Sequence, residues 1–321
     1  MNEEENPVAI AIDIGGTKTG LAVFSSETGL LANTTIATQP EKGCEMLIAH
    51  LYERSLTLLE SCNLSPGRVT GIGIVSPGPL DFTNGKIIHA PMLGWKNTPL
   101  VRIAGDIFRK EVALQGDTAG AALGEYIYGC GGSRPDSLIY ITVSTGVSCG
   151  IVIDGNIYNG AFGAAGELGH LKIATSDVKC PCGGSGCLET IASGTGIARI
   201  AKELTGEDIS AKKVFELAAC GEPVFVNIVE QAGHALGVGV ATLMQLLDPE
   251  VIIFGGSVSK DFEQMRPYIE KVLAMQVQNF AGRKTVIRKS ALPNGFNTLL
   301  GAGYMSVTRL LGTHYYNDFS N

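Results

Sequence analysis

The chain has 321 residues, of which 45% are hydrophobic and 17% charged, and a formal net charge of −7 at pH 7. So much apolar material excludes the disordered and fibrous classes and is ample for a large core divided between two domains of ordinary size. The acidic balance argues against a broad polyanion-binding surface, and hence against a nucleic-acid partner, while leaving room for local basic pockets.

The chain opens on MNEEEN, which is acidic and lacks the basic n-region of a signal peptide, and no uninterrupted apolar run reads as long enough to span a bilayer. No membrane partner is expected. Val8 to Ile12 reads as a short apolar strand, DIGGTKT as a turn, and Gly20 to Phe24 as a returning strand, together a glycine-rich hairpin. Glu41 to Ser61 has helical periodicity with Met46, Leu47, Leu51 and Leu56 as its apolar positions. The apolar run Gly71 to Val75 leads into the rigid turn Ser76-Pro77-Gly78-Pro79-Leu80, and the single tryptophan, Trp95, suits core packing. A strand end at Val112 to Leu114 precedes Asp117 and the helical run TAGAALGEYIYG.

From Leu138 the opening plan returns: LIYITV is a strand, STGVSCG a turn of small residues, and Ile151 to Ile153 a second strand. The repetition suggests a structural duplication visible only in outline. Pro223 to Leu247 is a long helical pattern stopped by Asp248-Pro249, Val251 to Phe254 a strand running into Gly255-Gly256, and Phe296 to Leu311 a last helix interrupted by Gly301 and Gly303. Strands alternating with helices predict an α/β fold of parallel strands and helical crossovers, with the hairpins adding antiparallel pairs. The expected domains are residues 1–116 and 117–293, with a C-terminal helix in 294–321 packing back on the first.

Three of the turns carry candidate chemistry. In Asp13-Ile14-Gly15-Gly16-Thr17-Lys18 the glycines let backbone N–H groups approach an anion, Thr17 and Lys18 add a hydroxyl and a cation, and Asp13 is a carboxylate for Mg²⁺. The alternative is an ordinary hairpin turn. Ser144-Thr145-Gly146 offers a second set of donors, and Asp117 is either a general base or a helix N-cap.

His170, Cys180, Cys182 and Cys187 lie in GELGHLKIATSDVKCPCGGSGCLE, where three thiolates and an imidazole match a closed tetrahedral structural zinc. Gly183, Gly184 and Gly186 permit the tight turns of so short a loop. The other five of the eight cysteines are scattered, so a secreted disulfide framework is not expected and the compartment reads as cytoplasmic. Glu167 and Glu189 bracket the knuckle, either as acceptors for hydroxyl groups or as solvated charges.

In chain order DIGGTK, GIGIVSPGPLD, GW-x-N-x-PL, GDTAGAALGE, STG, GAAGELGH, CPCGGSGCLE and FGGS resemble the ROK family of sugar kinases and repressors over nearly the whole chain. The pairing of GELGH with C-x-C-x4-C is the most specific part. The resemblance implies an α/β, two-domain actin-like ATPase (ribonuclease H-like) fold with an inserted zinc knuckle, its two domains closing over a cleft. It also implies a homodimer or higher homo-oligomer. By the same resemblance Asp13, Gly15, Gly16, Thr17, Lys18, Thr145 and Gly146 would bind ATP phosphates and metal, and Gly255 and Gly256 would sit by the adenosine. Asp117 would be the catalytic base, and Gly78, Glu167, His170 and Glu189 would meet the sugar, with His170 also a zinc ligand. The sequence departs from the family pattern at Gly116, where an Asn usually contacts sugar hydroxyls, and at Ala119, which replaces a frequent Asn.

The implied activity is ATP- and Mg²⁺-dependent phosphorylation of a hexose, with the 6-hydroxyl of glucose first. N-acetylmannosamine, N-acetylglucosamine or another hexose is the alternative. A sugar-responsive repressor is disfavoured, because the first strand begins near Val8 and leaves no segment for a helix-turn-helix.

Overall fold

The computed structural model describes residues 6–174, 177–293 and 295–308. By their contacts these fall into two compact units: Met1–Arg134 with Gly155–Ala165 and Gly295–Asn321, and Pro135–Asp154 with Gly166–Asn294. The first unit thus continues past Gly116 to Arg134, because the helix that starts at Asp117 packs on the C-terminal helix of the same unit. The expected tail beyond Thr308 lies outside the described residues.

In the first unit, β1 (Val8–Ile14), β2 (Lys18–Ser25) and β3 (Gly29–Ala37) form an antiparallel meander. Helix α1 (Cys44–Ser61) then returns the chain to β4 (Val69–Ser76), parallel to β1. The short β5 (Leu80–Asp81), β6 (Lys86–Ala90) and β7 (Trp95–Thr98) make a separate antiparallel sheet. Helix α2 (Leu100–Phe108) leads to β8 (Val112–Gly116), parallel to β4, so the main sheet has the order β3-β2-β1-β4-β8. Trp95 is buried as expected and donates its indole N–H to Pro40 O at 3.2 Å. Helix α3 (Asp117–Gly124) runs into a π-helical turn at Glu125–Gly129. The second unit begins with β9 (Ser137–Val143) and β10 (Val147–Ile153). The first unit then takes back the short β11 (Asn156–Ile157).

On α1 the buried stripe is Cys44, Leu47, Ile48, Leu51, Ser55 and Leu59, whereas Met46 is 61% exposed. Met46 was therefore wrongly placed on the apolar face: at about 100° per residue it stands about 160° around the helix from Ile48 and about 140° from Leu51, opposite the centre of the buried stripe.

The second unit continues with α4 (Glu189–Ala192), α5 (Gly194–Thr205), α6 (Ala211–Ala219), α7 (Pro223–Leu247), β12 (Val251–Gly255), α8 (Phe262–Gln276) and β13 (Val286–Lys289). Strands β9 and β10 form an antiparallel hairpin, and β12 lies parallel to both β9 and β13. The order β10-β9-β12-β13 repeats the β2-β1-β4-β8 portion of the first unit, so the duplication suggested by the sequence is present in strand topology. Its core is built from Ile139, Ile141, Leu236, Val240, Met244, Phe254 and Phe262, with the last two rings stacked at 4.8 Å.

Helix α7 is long and apolar enough to cross a bilayer by length and composition, although its apolar run is interrupted, as expected of this sequence. Its apolar face, from Ile228 to Met244, is instead spent on that core, with polar Asn227, Glu230, Gln231 and His234 on the same helix. The last helix, α9 (Phe296–Thr308), belongs to the first unit, and its glycines have a packing reason. A Cβ on Gly301 would collide with Gly120 O, one on Gly124 with Asn297 O, and one on Gly303 with the Phe24 ring. The helical cost of glycine, about 1 kcal/mol each, is offset by this close approach of α9 to α3 and the sheet.

Candidate active site and cysteine centre

The turn joining β1 to β2 is closed by Gly15 N donating to Lys18 O at 3.1 Å, and a Cβ on Gly15 would approach that oxygen to 2.6 Å. Thr38, at the end of β3, braces it: Thr38 N donates to Thr17 O at 3.0 Å and its hydroxyl to Gly15 O at 2.7 Å. Thr17 and Lys18 are left exposed at the tip, and Gly15 and Gly16 are half-buried.

Asp13 is the penultimate residue of β1, and burial pushes its carboxyl up to about 6, with the Thr298 hydrogen bond opposing and the nearby Asp117 charge adding to the rise. Asp117 opens α3 directly after β8. Gly116, not Asp117, is the N-cap residue, so the simple capping explanation for Asp117 fails. Its Oδ1 accepts from Thr118 N at 2.6 Å and from Thr118 Oγ1 at 3.1 Å. The side chain is open to solvent yet surrounded by protein mass, and desolvation holds its pKa above the ordinary carboxylate value against those hydrogen bonds. Gly116 has φ −66° and ψ 144°, and a Cβ there would meet nothing within 4 Å. Its backbone therefore does not require glycine. Gly78 lies just beyond β4, where a Cβ would stand 3.0 Å from Leu80 N.

In the second unit Ser144-Thr145-Gly146 is the β9–β10 turn, closed by Ser144 N to Gly146 O at 2.9 Å. The start of α5 docks on it: Gly194 N donates to Ser144 O at 2.7 Å and Thr195 Oγ1 to Thr145 O at 2.7 Å. Ser193 caps α5 by accepting from Gly196 N at 3.0 Å. Beside this lies a pocket of ≈ 640 Å³ lined by Thr145, Thr195, Lys212, Phe215, Ser257 and Lys260 among others. Ser257 reaches Ser144, Oγ to Oγ, at 3.1 Å, and Gly255-Gly256 end β12 immediately before it. Gly256 has φ +89°, and its Cβ would press on Val143 O, so this turn needs glycine. The sequence reading found the glycines and Thr145 but missed Thr195, Lys212, Phe215 and Lys260. The S-G-T-G start of α5 was a readable N-cap signal.

The four predicted ligands converge within the same unit: the ligating atoms of His170, Cys180, Cys182 and Cys187 all lie within 4.8 Å of one another. His170 Nδ1 is 3.5 Å from Cys180 Sγ, and Cys182 Sγ is 3.6 Å from Cys187 Sγ. A tetrahedral zinc with bonds of about 2.3 Å to sulfur and about 2.0 Å to nitrogen requires ligand separations of roughly 3.5–3.8 Å, so the donor set suits that ion and these two spacings match it, while the set as a whole, spread over up to 4.8 Å, would close by about 1 Å around it. The loop is tied by Cys180 N to Gly184 O and Gly183 N to Cys180 O, both 2.9 Å, and by Ile173 N to Gly186 O at 3.0 Å. Gly183 and Gly186 have φ of +89° and +71°. Lys172, unnoticed in the sequence, places Nζ 2.6 Å from Cys187 Sγ.

His170 faces two ways. Nδ1 is turned to the cysteines and to Glu189 Oε1 at 3.5 Å, and Nε2 stands 3.6 Å from Glu167 Oε2. Glu189 Oε1 also lies 3.1 Å from Cys180 Sγ and its side chain is only 16% exposed, whereas that of Glu167 is 63% exposed. Both glutamates thus meet the histidine, and Glu189 is no solvated surface charge.

Residues 9–308 match the ROK family. The glucokinase of Halalkalibacterium halodurans is 34% identical over 266 residues, covering 78% of this chain and 80% of the relative. The glucokinase of Thermotoga maritima is 31% identical over 319 residues, covering 94% and 98%. The ROK family glucokinase from Streptomyces griseus, solved in complex with glucose and AMPPNP, superposes with a TM-score of 0.76 at 29% identity, covering 94% of this chain and 99% of that one. The family match runs through both hairpins, the Asp117 helix and the cysteine centre, and the chain belongs to the ROK family, with the two-domain α/β, actin-like ATPase fold of its sugar kinases.

Proposed function

We propose that this chain is an ATP-dependent hexose kinase that phosphorylates the 6-hydroxyl of glucose. The observation that carries the reading is the Asp117 carboxylate: held at the start of α3, open to solvent, pushed above the ordinary carboxylate pKa by desolvation, and near enough to Asp13 to raise it in turn. A carboxylate of raised pKa is a better acceptor for a hydroxyl proton at neutral pH. Asp117 takes the proton of the attacking hydroxyl, while the Gly16 amide, Thr17 and Lys18 meet phosphate charge at the β1–β2 turn.

Thr145, Gly146 and the N-terminus of α5 form a second phosphate-binding element through the positive end of the helix dipole, the Gly194 and Gly196 amides being held by Ser144 O and Ser193 Oγ. The pocket lined by Thr195, Phe215 and Ser257, with Lys212 and Lys260, suits the nucleoside, with Gly255 and Gly256 at its edge. Asp13 is a desolvated carboxylate with one hydrogen-bonded side chain, a hard oxygen donor suited to Mg²⁺ directly or through water. When bound, Mg²⁺ neutralises phosphate charge.

In this reading Gly78, Glu167, His170 and Glu189 are the sugar contacts. His170 gives Nδ1 to a structural zinc held with Cys180, Cys182 and Cys187, which leaves Nε2–H as a donor oriented by Glu167. The zinc stiffens a substrate-binding wall and does no chemistry. A cytoplasmic enzyme with free thiols fits this arrangement. The second reading, another hexose or an N-acetylhexosamine, is favoured by one observation: Gly116 offers no side chain beside the base and has open space where one would stand.

The test is ADP release coupled to a reporter over glucose, mannose, galactose, N-acetylglucosamine and N-acetylmannosamine, with the phosphorylated carbon identified by NMR. Turnover on none of them would refute the kinase reading. Turnover greatest on an N-acetylhexosamine would select the alternative.

A further inference from the structure

Asp13 is met by a side chain from the far end of the chain. Thr298, the third residue of α9, places Oγ1 2.6 Å from Asp13 Oδ2, 285 positions away in sequence. That length is in the short range of hydroxyl–carboxylate hydrogen bonds. The same hydroxyl lies 2.8 Å from Gly295 O, so its rotamer is defined by two oxygens. Its backbone is held as well: Thr298 N donates to Asn297 Oδ1 at 2.9 Å, and Asn297 Nδ2 donates to the buried Glu125 Oε1 at 3.3 Å. Leu299 packs over Gly20, the β2 residue paired with Asp13, so the start of α9 is seated on the phosphate hairpin itself.

We infer that Thr298 is a positioning residue that occupies one oxygen of Asp13 and so limits the carboxylate to one-oxygen or water-mediated contact with the divalent cation of the nucleotide. The inference rests on the kinase reading and on Asp13 serving the metal. A short hydrogen bond takes one lone pair of that oxygen, weakens it as a donor to metal and fixes the plane of the carboxylate, which disfavours chelation through both oxygens. Bidentate carboxylates suit Ca²⁺, which takes six to eight oxygens in loose geometry, whereas Mg²⁺ keeps its waters and takes single carboxylate oxygens in a strict octahedron. A β-branched hydroxyl residue suits the task, because its χ1 is stiff and the hydroxyl stays in place. Thr298 therefore sets the preference for Mg²⁺ over Ca²⁺ at the nucleotide and touches neither sugar nor phosphate.

The experiment is calorimetric binding of ADP to the full chain, alone, with Mg²⁺ and with Ca²⁺, in wild type, Thr298→Val and Thr298→Ser. Wild type is expected to bind ADP more tightly with Mg²⁺ than without, and to gain less from Ca²⁺. Thr298→Val is isosteric and lacks the hydroxyl. It should lose about tenfold of the Mg²⁺ enhancement, the order expected for one charge-assisted hydrogen bond, and narrow the Mg²⁺/Ca²⁺ ratio, while its affinity for ADP alone stays near wild type. Thr298→Ser should restore both quantities. Thr298→Ala, smaller than either, gives the same comparison if the valine does not fold. A merely structural role would shift the melting temperature and leave the cation ratio unmoved. An unchanged ratio in the valine or alanine variant, or a serine variant no different from them, overturns the inference. A wild type that binds no ADP would instead overturn the kinase reading, and one that binds it without regard to Mg²⁺ would overturn the role of Asp13.

Discussion

Removing the charge of Asp13 should make the protein more stable while disabling it. Burial raises this carboxyl from 3.8 to about 6, so at neutral pH the folded protein without metal holds an anion that is less stable there than in the unfolded chain. Below pH 3.8 both folded and unfolded chains carry the proton and no penalty exists. Between 3.8 and about 6 the native state binds more protons than the unfolded one, so stability falls as pH rises, and above about 6 the penalty is constant. At 1.36 kcal/mol per pH unit that constant is about 3 kcal/mol, and at pH 4.5 it is still only about 1 kcal/mol.

Asp13→Asn keeps an oxygen for Thr298 and has no charge to desolvate. Any cost of the new amide N–H₂ is independent of pH and cancels when wild type and variant are compared at two pH values. The variant's advantage without added magnesium should therefore grow by about 2 kcal/mol from pH 4.5 to pH 8, or about 4–8 °C in melting temperature for a unit of this size. The assay is scanning calorimetry at several pH values, with hexose turnover measured alongside and expected to fall at least about 100-fold. An advantage that does not change with pH, or one that shrinks as pH rises, refutes the desolvation argument. It would also remove the reason for regarding Asp13 as a cation ligand in waiting.

Asp117→Asn should lower kcat by about 10²–10⁴-fold and leave sugar and nucleotide binding near wild type by calorimetry, because an amide can still hydrogen-bond but cannot accept the proton. Near-normal turnover would reduce Asp117 to a structural residue. Metal analysis of protein purified without added zinc should return about one zinc per chain, falling close to zero in Cys182→Ser together with a lower melting temperature; active protein without zinc would sink the assignment. Gly116→Asn, free of backbone strain, should raise kcat/KM for glucose relative to other hexoses by up to about tenfold, and a preference that is unchanged or moves away from glucose shows another group already makes that contact.

The sequence disclosed elements whose signals are local. Pro223 at the first turn of α7 and Asp248-Pro249 after it bracket a helix whose observed limits, Pro223–Leu247, coincide with the reading. The histidine–cysteine cluster was legible for the same reason, since its four donor residues fall within eighteen positions and the glycines that permit the turns stand among them. What escaped was set by distant partners. Strand β3 was not read, although its burial alternates along Gly29–Ala37, because small and polar residues such as Asn33, Thr34 and Thr35 blur the period. The domain limit at Gly116 looked natural after a strand, and only the packing of α3 on α9 carries the first unit onward to Arg134. Thr298 and Thr38 left no local trace at all, since each acts on a residue far away in the chain.

The duplicated frame explains where the chemistry sits. In both units an antiparallel hairpin is flanked by parallel strands, so each hairpin turn emerges at the end of a sheet where small residues leave backbone N–H groups uncovered. The two frames are continued differently by the chain. In the first unit β8 ends at Gly116 and delivers Asp117 to the start of α3, and α9 returns to place Thr298 on Asp13, so this copy carries these two carboxylates. In the second unit the residues after β10 supply the cysteine centre with Glu167 and Glu189 on its histidine, and α5 docks its capped N-terminus on the turn. Carboxylates close to a phosphate repel it unless a cation stands between them; Asp13 shares its hairpin with Lys18, whereas Glu189, which reaches to 3.0 Å from a Cβ on Gly146, turns Oε1 toward His170 and Cys180. The positive end of a helix dipole attracts the same phosphate with no counter-ion. On the proposed function the first-unit hairpin is the one that acts through a cation, so the nucleotide's requirement for a divalent cation should be traceable to substitutions in the first unit alone.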